Sequence, residues 1–195
     1  MVTKINIENK EVKGISTSNK KEYKAKKDIL TTGTYMNACT MVGDKKTPGG
    51  PHNEKESLFL SDHLKDEGLN IIRLKTGTPP RIDKNSIDFD KMSLEPGDKE
   101  YLYFSNYYEK KYDIDNQVPC YLTYTNLETH KIIEENLNKS SLYGGLIKTK
   151  GPRYCPSIED KIVKFADKQR HQLFLEPQSL KYDNYYLGGF ATTMP

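Results

Sequence analysis

Three runs within the first thirty residues constrain the fold most. Val2, Ile5 and Ile7 lead into a turn at residues 8–11, and Val12 to Thr17 form the next run. A turn at residues 18–21 then precedes a third run from Tyr23 to Leu30. The apolar spacing and the turn-forming interruptions predict a β-meander, whose connections are of the length that joins antiparallel neighbours. The third run changes character at Asp28. It becomes the uncharged Ile29-Leu30-Thr31-Thr32 and stops at Gly33-Thr34, which reads as a buried strand ending at glycine. Such an ending suits close approach of a ligand to the backbone, and it suits an ordinary turn equally well.

Downstream, Thr47-Pro48-Gly49-Gly50-Pro51 marks a loop. Residues 54–67 are predicted to be a helix carrying Leu58, Leu60 and Leu64, with Gly68 as its stop and residues 69–74 as a short apolar strand. Helix, glycine and strand in that order predict an α/β unit. From residue 76 to 117 the periodicity dissolves into Pro79-Pro80, Pro96-Gly97 and many Asp, Lys and Tyr, a boundary followed by a loop-rich insertion. A strand is predicted over 118–124. Thr125-Asn126-Leu127-Glu128 fits a capping box, predicting a helix that ends near Asn138 and buries Ile132, Ile133 and Leu137. Residues 157–168 read as another helix and 172–176 as a strand, and the chain ends in strand and glycine-rich loop.

Composition excludes some classes. The 30 basic and 27 acidic residues leave a net charge of +3, too small an imbalance to indicate nucleic acid by itself. Lys20, Lys21, Lys24, Lys26 and Lys27 form the densest basic patch and read as a solvated hairpin edge. Only 35% of residues are hydrophobic, a low fraction for a self-sufficient core, although 14 Tyr add buriable area. Cys39, Cys120 and Cys155 are odd in number and widely spaced without CxxC, which argues against a disulfide framework and against a zinc site. His52, His63, His130 and His171 lack metal-ligand spacing and read as surface or packing residues. No apolar stretch approaches the roughly 18 residues of a membrane span. The N-terminus lacks a signal-peptide core, so a reduced, cytoplasmic compartment is the expectation.

Two segments could carry chemistry. In Gly151-Pro152-Arg153-Tyr154-Cys155-Pro156-Ser157-Ile158-Glu159-Asp160-Lys161, Ser157 is placed as an N-cap with Asp160 three residues on, and Ile158, Ile162, Phe165 and Ala166 give an apolar stripe. Cys155 then precedes a helix N-terminus, whose free N–H groups, together with Arg153, favour a thiolate nucleophile. The same N–H groups could hold a phosphate. A small buried cysteine beside a surface arginine is the competing reading, and on these residues alone it leads. Glu159 and Asp160 oppose a thiolate if they point inward. The second segment, Leu74-Lys75-Thr76-Gly77-Thr78-Pro79-Pro80-Arg81, combines cations, glycine and hydroxyls but is not a Walker A loop. A rigid Pro-Pro exit explains it at least as well as a ligand loop. No GxGxxG occurs anywhere.

Together these pieces resemble the GidA, or MnmG, family. The resemblance is carried by the run from Arg73 to Asp83, by Ser86-Ile87-Asp88-Phe89, by Gln117-Val118-Pro119-Cys120-Tyr121 and above all by Gly151 to Phe165. Phe174-Leu175-Glu176-Pro177 and Ala191-Thr192-Thr193-Met194-Pro195 extend it over essentially the whole chain. The resemblance implies a flavin-dependent enzyme that, with the GTPase MnmE, adds a carboxymethylaminomethyl or aminomethyl group to C5 of the wobble uridine of tRNA. It implies FAD, NADH and a folate-derived one-carbon donor, and a homodimer. The implied fold is α/β: part of a glutathione-reductase-like FAD-binding Rossmann domain with a β-meander, plus a small α+β insertion domain.

By this resemblance residues 1–81 belong to the FAD domain, 82–150 to the insertion, and 151–195 return to the FAD domain. Val2, Gly33 and Ser57 would contact FAD. Gly151, Pro152, Arg153, Tyr154, Cys155, Pro156, Ser157, Ile158, Glu159, Asp160, Lys161, Ile162, Val163, Lys164 and Phe165 would meet NADH, and Cys155 would be one of two functional cysteines. The family's N-terminal pyrophosphate loop, its other functional cysteine and its C-terminal domain have no counterpart here. In place of the family's Gly-Gly-Arg-Ala-Gly loop stands Pro48-Gly49-Gly50-Pro51-His52-Asn53, which weakens the Ser57 assignment. A fragment that is inactive alone is therefore the expectation. A folate- and FAD-dependent tRNA uridine methyltransferase relative, and a non-catalytic nucleotide-binding or interaction protein, are the alternatives.

Overall fold

The computed structural model describes residues 1–107, 111–149, 151, 155–181 and 183–195; the side chain of His52 also lies outside the described set. Pro152, Arg153 and Tyr154 of the cysteine segment are therefore not described. The chain is mixed α/β and divides into two compact units. The first comprises Met1–Thr76, Lys139–Pro152 and Met194–Pro195, and the second Gly77–Asn138 and Arg153–Thr193.

In the first unit β1 (Val2–Glu8), β2 (Glu11–Thr17) and β3 (Glu22–Lys24) form the predicted antiparallel meander in the order β1-β2-β3. Asn9 and Lys10 both have positive φ (52° and 65°), the conformation a two-residue hairpin turn demands. A second hairpin pairs β4 (Cys39–Val42) with β5 (Lys45–Pro48). Helix α1 (Leu60–Asp66) packs on β1, so that Ile5, Leu60 and Leu64 are buried, with Val2, Val12, Met36 and Ile71 against them. His63 fixes this contact by donating from Nε2 to the Ile5 carbonyl at 2.9 Å.

Three expectations for this unit fail. The third strand ends at Lys24, and Ile29 is 89% exposed rather than buried. The helix begins at Leu60, not residue 54, because Phe59 adopts φ 73°, which no helix tolerates. Residues 69–74 form no strand: Ile72 and Leu74 are 69% and 51% exposed, and no described strand pairs with them. The predicted α/β unit is thus not formed, since a strand without a hydrogen-bonded neighbour gains nothing from extension.

The second unit is built on a five-stranded antiparallel sheet of β6 (Arg81–Asp83), β7 (Ser93–Glu95), β8 (Cys120–Tyr124), β9 (Gln172–Pro177) and β10 (Asn184–Gly188), in the order β6-β10-β9-β8-β7. Alternation on β9 buries Leu173 and Leu175, and Tyr185 is buried on β10. Phe89 closes this face, its ring 4.6 Å from Tyr121 and 5.5 Å from Tyr185. Helices α2 (Leu127–Glu135) and α3 (Ile158–Lys164) pack on each other and bury Ile133, Ile158 and Ile162. Each fully buried aliphatic side chain contributes about 1.5–3 kcal/mol.

The cap of α2 is Asn126, whose side chain accepts from the Thr129 N–H at 2.8 Å. The Thr125 hydroxyl, proposed for that role, instead accepts from His171 N–H at 2.8 Å and lies 2.7 Å from His130 Nε2. The helix also stops short of residue 138, and Ile132 is 56% exposed. On α3 the apolar stripe ends at Ile162, because Phe165 is 52% exposed and Ala166 is exposed too.

Candidate functional site

The start of α3 is the most thoroughly enclosed part of the second unit. Ser157 is extended (φ −73°, ψ 168°), and its Oγ accepts from Asp160 N–H at 3.3 Å, the predicted cap. Ser157, Ile158 and Glu159 are fully buried and Asp160 nearly so. Ile158 N–H donates to the Ala191 carbonyl at 2.7 Å. Two of the leading N–H groups are therefore already engaged by protein. An open phosphate cradle, considered from the sequence, is not what this helix start offers.

Cys155 lies two residues before the cap and is half-buried. Its Sγ accepts a hydrogen bond from Gly77 N–H at 3.3 Å. The two candidate segments, separate in the sequence, thus meet at one sulfur. Gly77 is required for the approach: a Cβ there would lie 2.8 Å from Ala191 Cβ and 3.9 Å from Cys155 Sγ. Next to Gly77, Thr78 bridges Thr192 in antiparallel fashion.

Glu159 ties this corner together. Its Oε1 accepts from Thr192 Oγ1 at 2.8 Å, Thr193 N–H at 2.9 Å and Thr193 Oγ1 at 3.3 Å. Its Oε2 is buried without a hydrogen-bond partner among the described residues. Lys161 donates to the Gly189 carbonyl at 2.8 Å, and burial lowers its pKa. Lys164 pairs with Asp160 at 2.8 Å. Pro156, Val163, Lys164 and Phe165 are exposed, while Gly151 and Lys161 are partly covered.

Sequence reasoning missed Gly77 and Ala191–Thr193 as parts of one site. The available signals were a glycine following a cationic run and a pair of threonines close to the end of the chain. It also missed the histidine pair, whose rings lie 5.2 Å apart. Cys120 sits on β8 opposite Glu95; burial first, then Glu176 and Glu95, push its thiol pKa up. Among the described residues no group of three His, Cys, Asp or Glu side chains could hold a metal ion, and no helix is long and apolar enough to cross a membrane.

In the first unit, loop hydrogen bonds link the turn that holds Gly33 to Ser57 through Tyr35, while Val2 lies on β1 against the Ile5, Leu60 and Leu64 core. Gly33 (φ 56°) lies in the turn closed by Tyr35 N–H donating to the Thr32 carbonyl at 3.4 Å. Tyr35 in turn accepts from Ser57 N–H at 2.7 Å, and Ser57 accepts from Asn37 N–H at 2.9 Å. The next residue, Leu58, donates its N–H to Met1 Sδ at 3.2 Å, beside Val2. Ser57 thus lies three residues before α1 rather than on it, and its hydroxyl engages no described residue. The Gly50 face of the glycine-rich loop is filled by the Tyr35 ring, whose hydroxyl donates to Glu54 at 2.7 Å.

A mixed α/β chain with a β-meander unit and a cysteine held beside a capped helix is the class of protein these features define. The sequence model described as Glucose inhibited division protein A matches residues 1–195, and the chain belongs to that family. It is 52% identical over 194 residues to the tRNA uridine 5-carboxymethylaminomethyl modification enzyme MnmG of Ureaplasma parvum serovar 3, covering 100% of this chain and 32% of that protein. It is 47% identical over 195 residues to the MnmG of Bacillus thuringiensis (strain Al Hakam), again with 100% of this chain and 31% of the relative. The form I crystal structure of Aquifex aeolicus GidA superposes with a TM-score of 0.80 at 46% identity, covering 100% of this chain and 33% of that one. The chain therefore spans about a third of the length of the relatives it matches.

Proposed function

We propose that this chain supplies the cysteine site and the flavin-side unit of a tRNA wobble-uridine modification enzyme, working within a protein of its relatives' length. The observation that supports this most is the family match along every residue, in a chain that holds the Cys155 sulfur on a backbone N–H. The reaction adds a carboxymethylaminomethyl or aminomethyl group to uridine C5, with tRNA as substrate, the MnmE GTPase as partner, a homodimer as the working form and the cytoplasm as its place. In this reading residues 1–81 and 151–195 belong to a glutathione-reductase-like FAD domain and residues 82–150 to an insertion.

FAD and NADH, when bound, supply the redox chemistry, and a folate-derived donor supplies the one-carbon unit. Val2, Gly33 and Ser57 fit a flavin contact: a left-handed glycine lets a ligand approach the backbone, and the Ser57 hydroxyl engages no described residue. NADH meets the Gly151–Phe165 stretch through its accessible residues, Cys155, Pro156, Lys161, Val163, Lys164 and Phe165, not through the closed helix start. The Cys155 sulfur either adds to uridine C6, which activates C5, or moves a proton as the partner of a second cysteine.

The test places this sequence in a protein of the relatives' full length, in bacteria lacking their own family enzyme, and measures wobble nucleosides by mass spectrometry. Restored C5 carboxymethylaminomethyl- or aminomethyluridine supports the proposal. A flavin-loaded protein that restores none, or that makes 5-methyluridine, rejects it. Alone, with no GxGxxG loop in its sequence, the chain is expected not to hold FAD; a stoichiometrically yellow product would contradict that.

A further inference from the structure

We infer that Glu159 is the positioning residue of the cysteine site, acting through the Ala191–Thr193 segment and Gly77 without touching the sulfur itself. The inference rests on the reading of Cys155 as the reacting thiol. It adds a residue that the sequence suggested only as a member of a cofactor-contact stretch, or as a charge opposing the thiolate.

The chain of contacts is short. Glu159 is fully buried and occupies the first turn of α3. Its Oε1 gathers three donors from two consecutive residues: the Thr192 hydroxyl, the Thr193 N–H and the Thr193 hydroxyl. That fixes both the side chains and the backbone of Thr192–Thr193. The residue before them, Ala191, is held from the same helix by Ile158 N–H at 2.7 Å. Ala191 is the surface on which Gly77 rests, since any Cβ at Gly77 would meet Ala191 Cβ first. Thr78 adds a backbone bridge to Thr192. Gly77 N–H then donates to Cys155 Sγ. The first turn of one helix thus sets the Ala191–Thr193 segment and, through its contact with Gly77, the donor on the sulfur.

A carboxylate is a costly way to fasten a loop. Full burial, with one oxygen that has no partner among the described residues, carries a desolvation penalty that a neutral amide would reduce. Three donors converging on a single oxygen compensate, because hydrogen bonds to a charged acceptor are the stronger kind. The result is a stiff fastening where small displacements matter. A reacting atom misplaced by about 1 Å costs on the order of 100-fold in rate.

The test uses the protein of the relatives' full length described above, loaded with flavin, and compares Glu159→Ala, Glu159→Gln and Cys155→Ser. Glu159→Ala is expected to lower kcat for tRNA modification, counted per bound flavin, by about 10- to 100-fold with KM for tRNA unchanged. The alkylation rate of Cys155 by iodoacetamide should shift at least about threefold against Cys39 and Cys120 as internal references. Glu159→Gln keeps an acceptor oxygen and should restore most of kcat. A purely structural Glu159 would instead reduce the folded yield and leave kcat per flavin and Cys155 alkylation unchanged; that result overturns the inference. If Cys155→Ser is itself fully active, the underlying reading of the thiol fails, and the two failures remain distinguishable.

Discussion

The two units close their cores in different ways. The second surrounds Leu173, Leu175, Tyr185, Ile158 and Ile162 with its own strands and helices. Among the described residues the first buries only Ile5, Leu60 and Leu64 as large apolar residues, while leaving Ile29, Ile72 and Leu74 largely in solvent. The same contrast marks their candidate sites. Gly33 and Ser57 are linked through Tyr35 by loop hydrogen bonds, with Val2 on β1 against the core, whereas Cys155 sits against a helix start that is fully buried. A site fastened from a buried helix should be sensitive to substitutions well away from the sulfur. A site assembled from loops should respond chiefly to changes at its own residues.

The largest effect should come from the core beneath α3. Ile158→Ala is expected to cost about 2–5 kcal/mol of unfolding free energy, measured by urea denaturation of the chain, while Ile72→Ala at an exposed position should stay within about 0.5 kcal/mol. Equal losses would erase the contrast. Gly77→Ala comes next, at about 1–3 kcal/mol, because the new methyl must displace Ala191. Gly33→Ala sharpens the comparison: a Cβ there would make only ordinary contact with the Tyr35 ring at 3.5 Å, so it should cost only the roughly 1–2 kcal/mol of a left-handed alanine. Ser157→Ala removes the α3 cap and should cost about 0.5–2 kcal/mol in the same assay.

The smallest effect concerns pH. The pKa of His171 lies below its ordinary value of 6.5, chiefly through burial, then through His130 and Lys161, with Lys168 acting in the same direction and Asp167 opposing. The unfolded chain therefore takes up a proton first as pH falls. The contribution of neutral His171 is present above about pH 6.5 and is lost as pH drops from there toward the lowered folded value. In His171→Gln the acid-side decline in urea midpoint should be shallower; an unchanged slope would remove this residue from the account.

Elements specified by neighbouring residues were legible in the sequence. The β1–β2 hairpin needs only the turn at Asn9 and Lys10, and the α3 cap needs only Ser157 and Asp160. Elements specified by distant partners were not. Thr125 looks like a cap until His171, 46 residues away, recruits its hydroxyl. Residues 69–74 have strand composition, but pairing depends on a neighbour that no local pattern supplies. The cysteine site was half legible. Its helix and thiol announced themselves, yet the hydrogen bond that joins Gly77 to Cys155 spans 78 positions, and neither segment carries a sign of the other.

The central claim is that Cys155 is the reacting group of this chain. Its most direct test is Cys155→Ser in the full-length, flavin-loaded protein, with the absorption spectrum and the wobble nucleosides read from the same preparation. The account predicts an unchanged flavin spectrum and no carboxymethylaminomethyl- or aminomethyluridine. Wild-type levels of the modified nucleoside would contradict it.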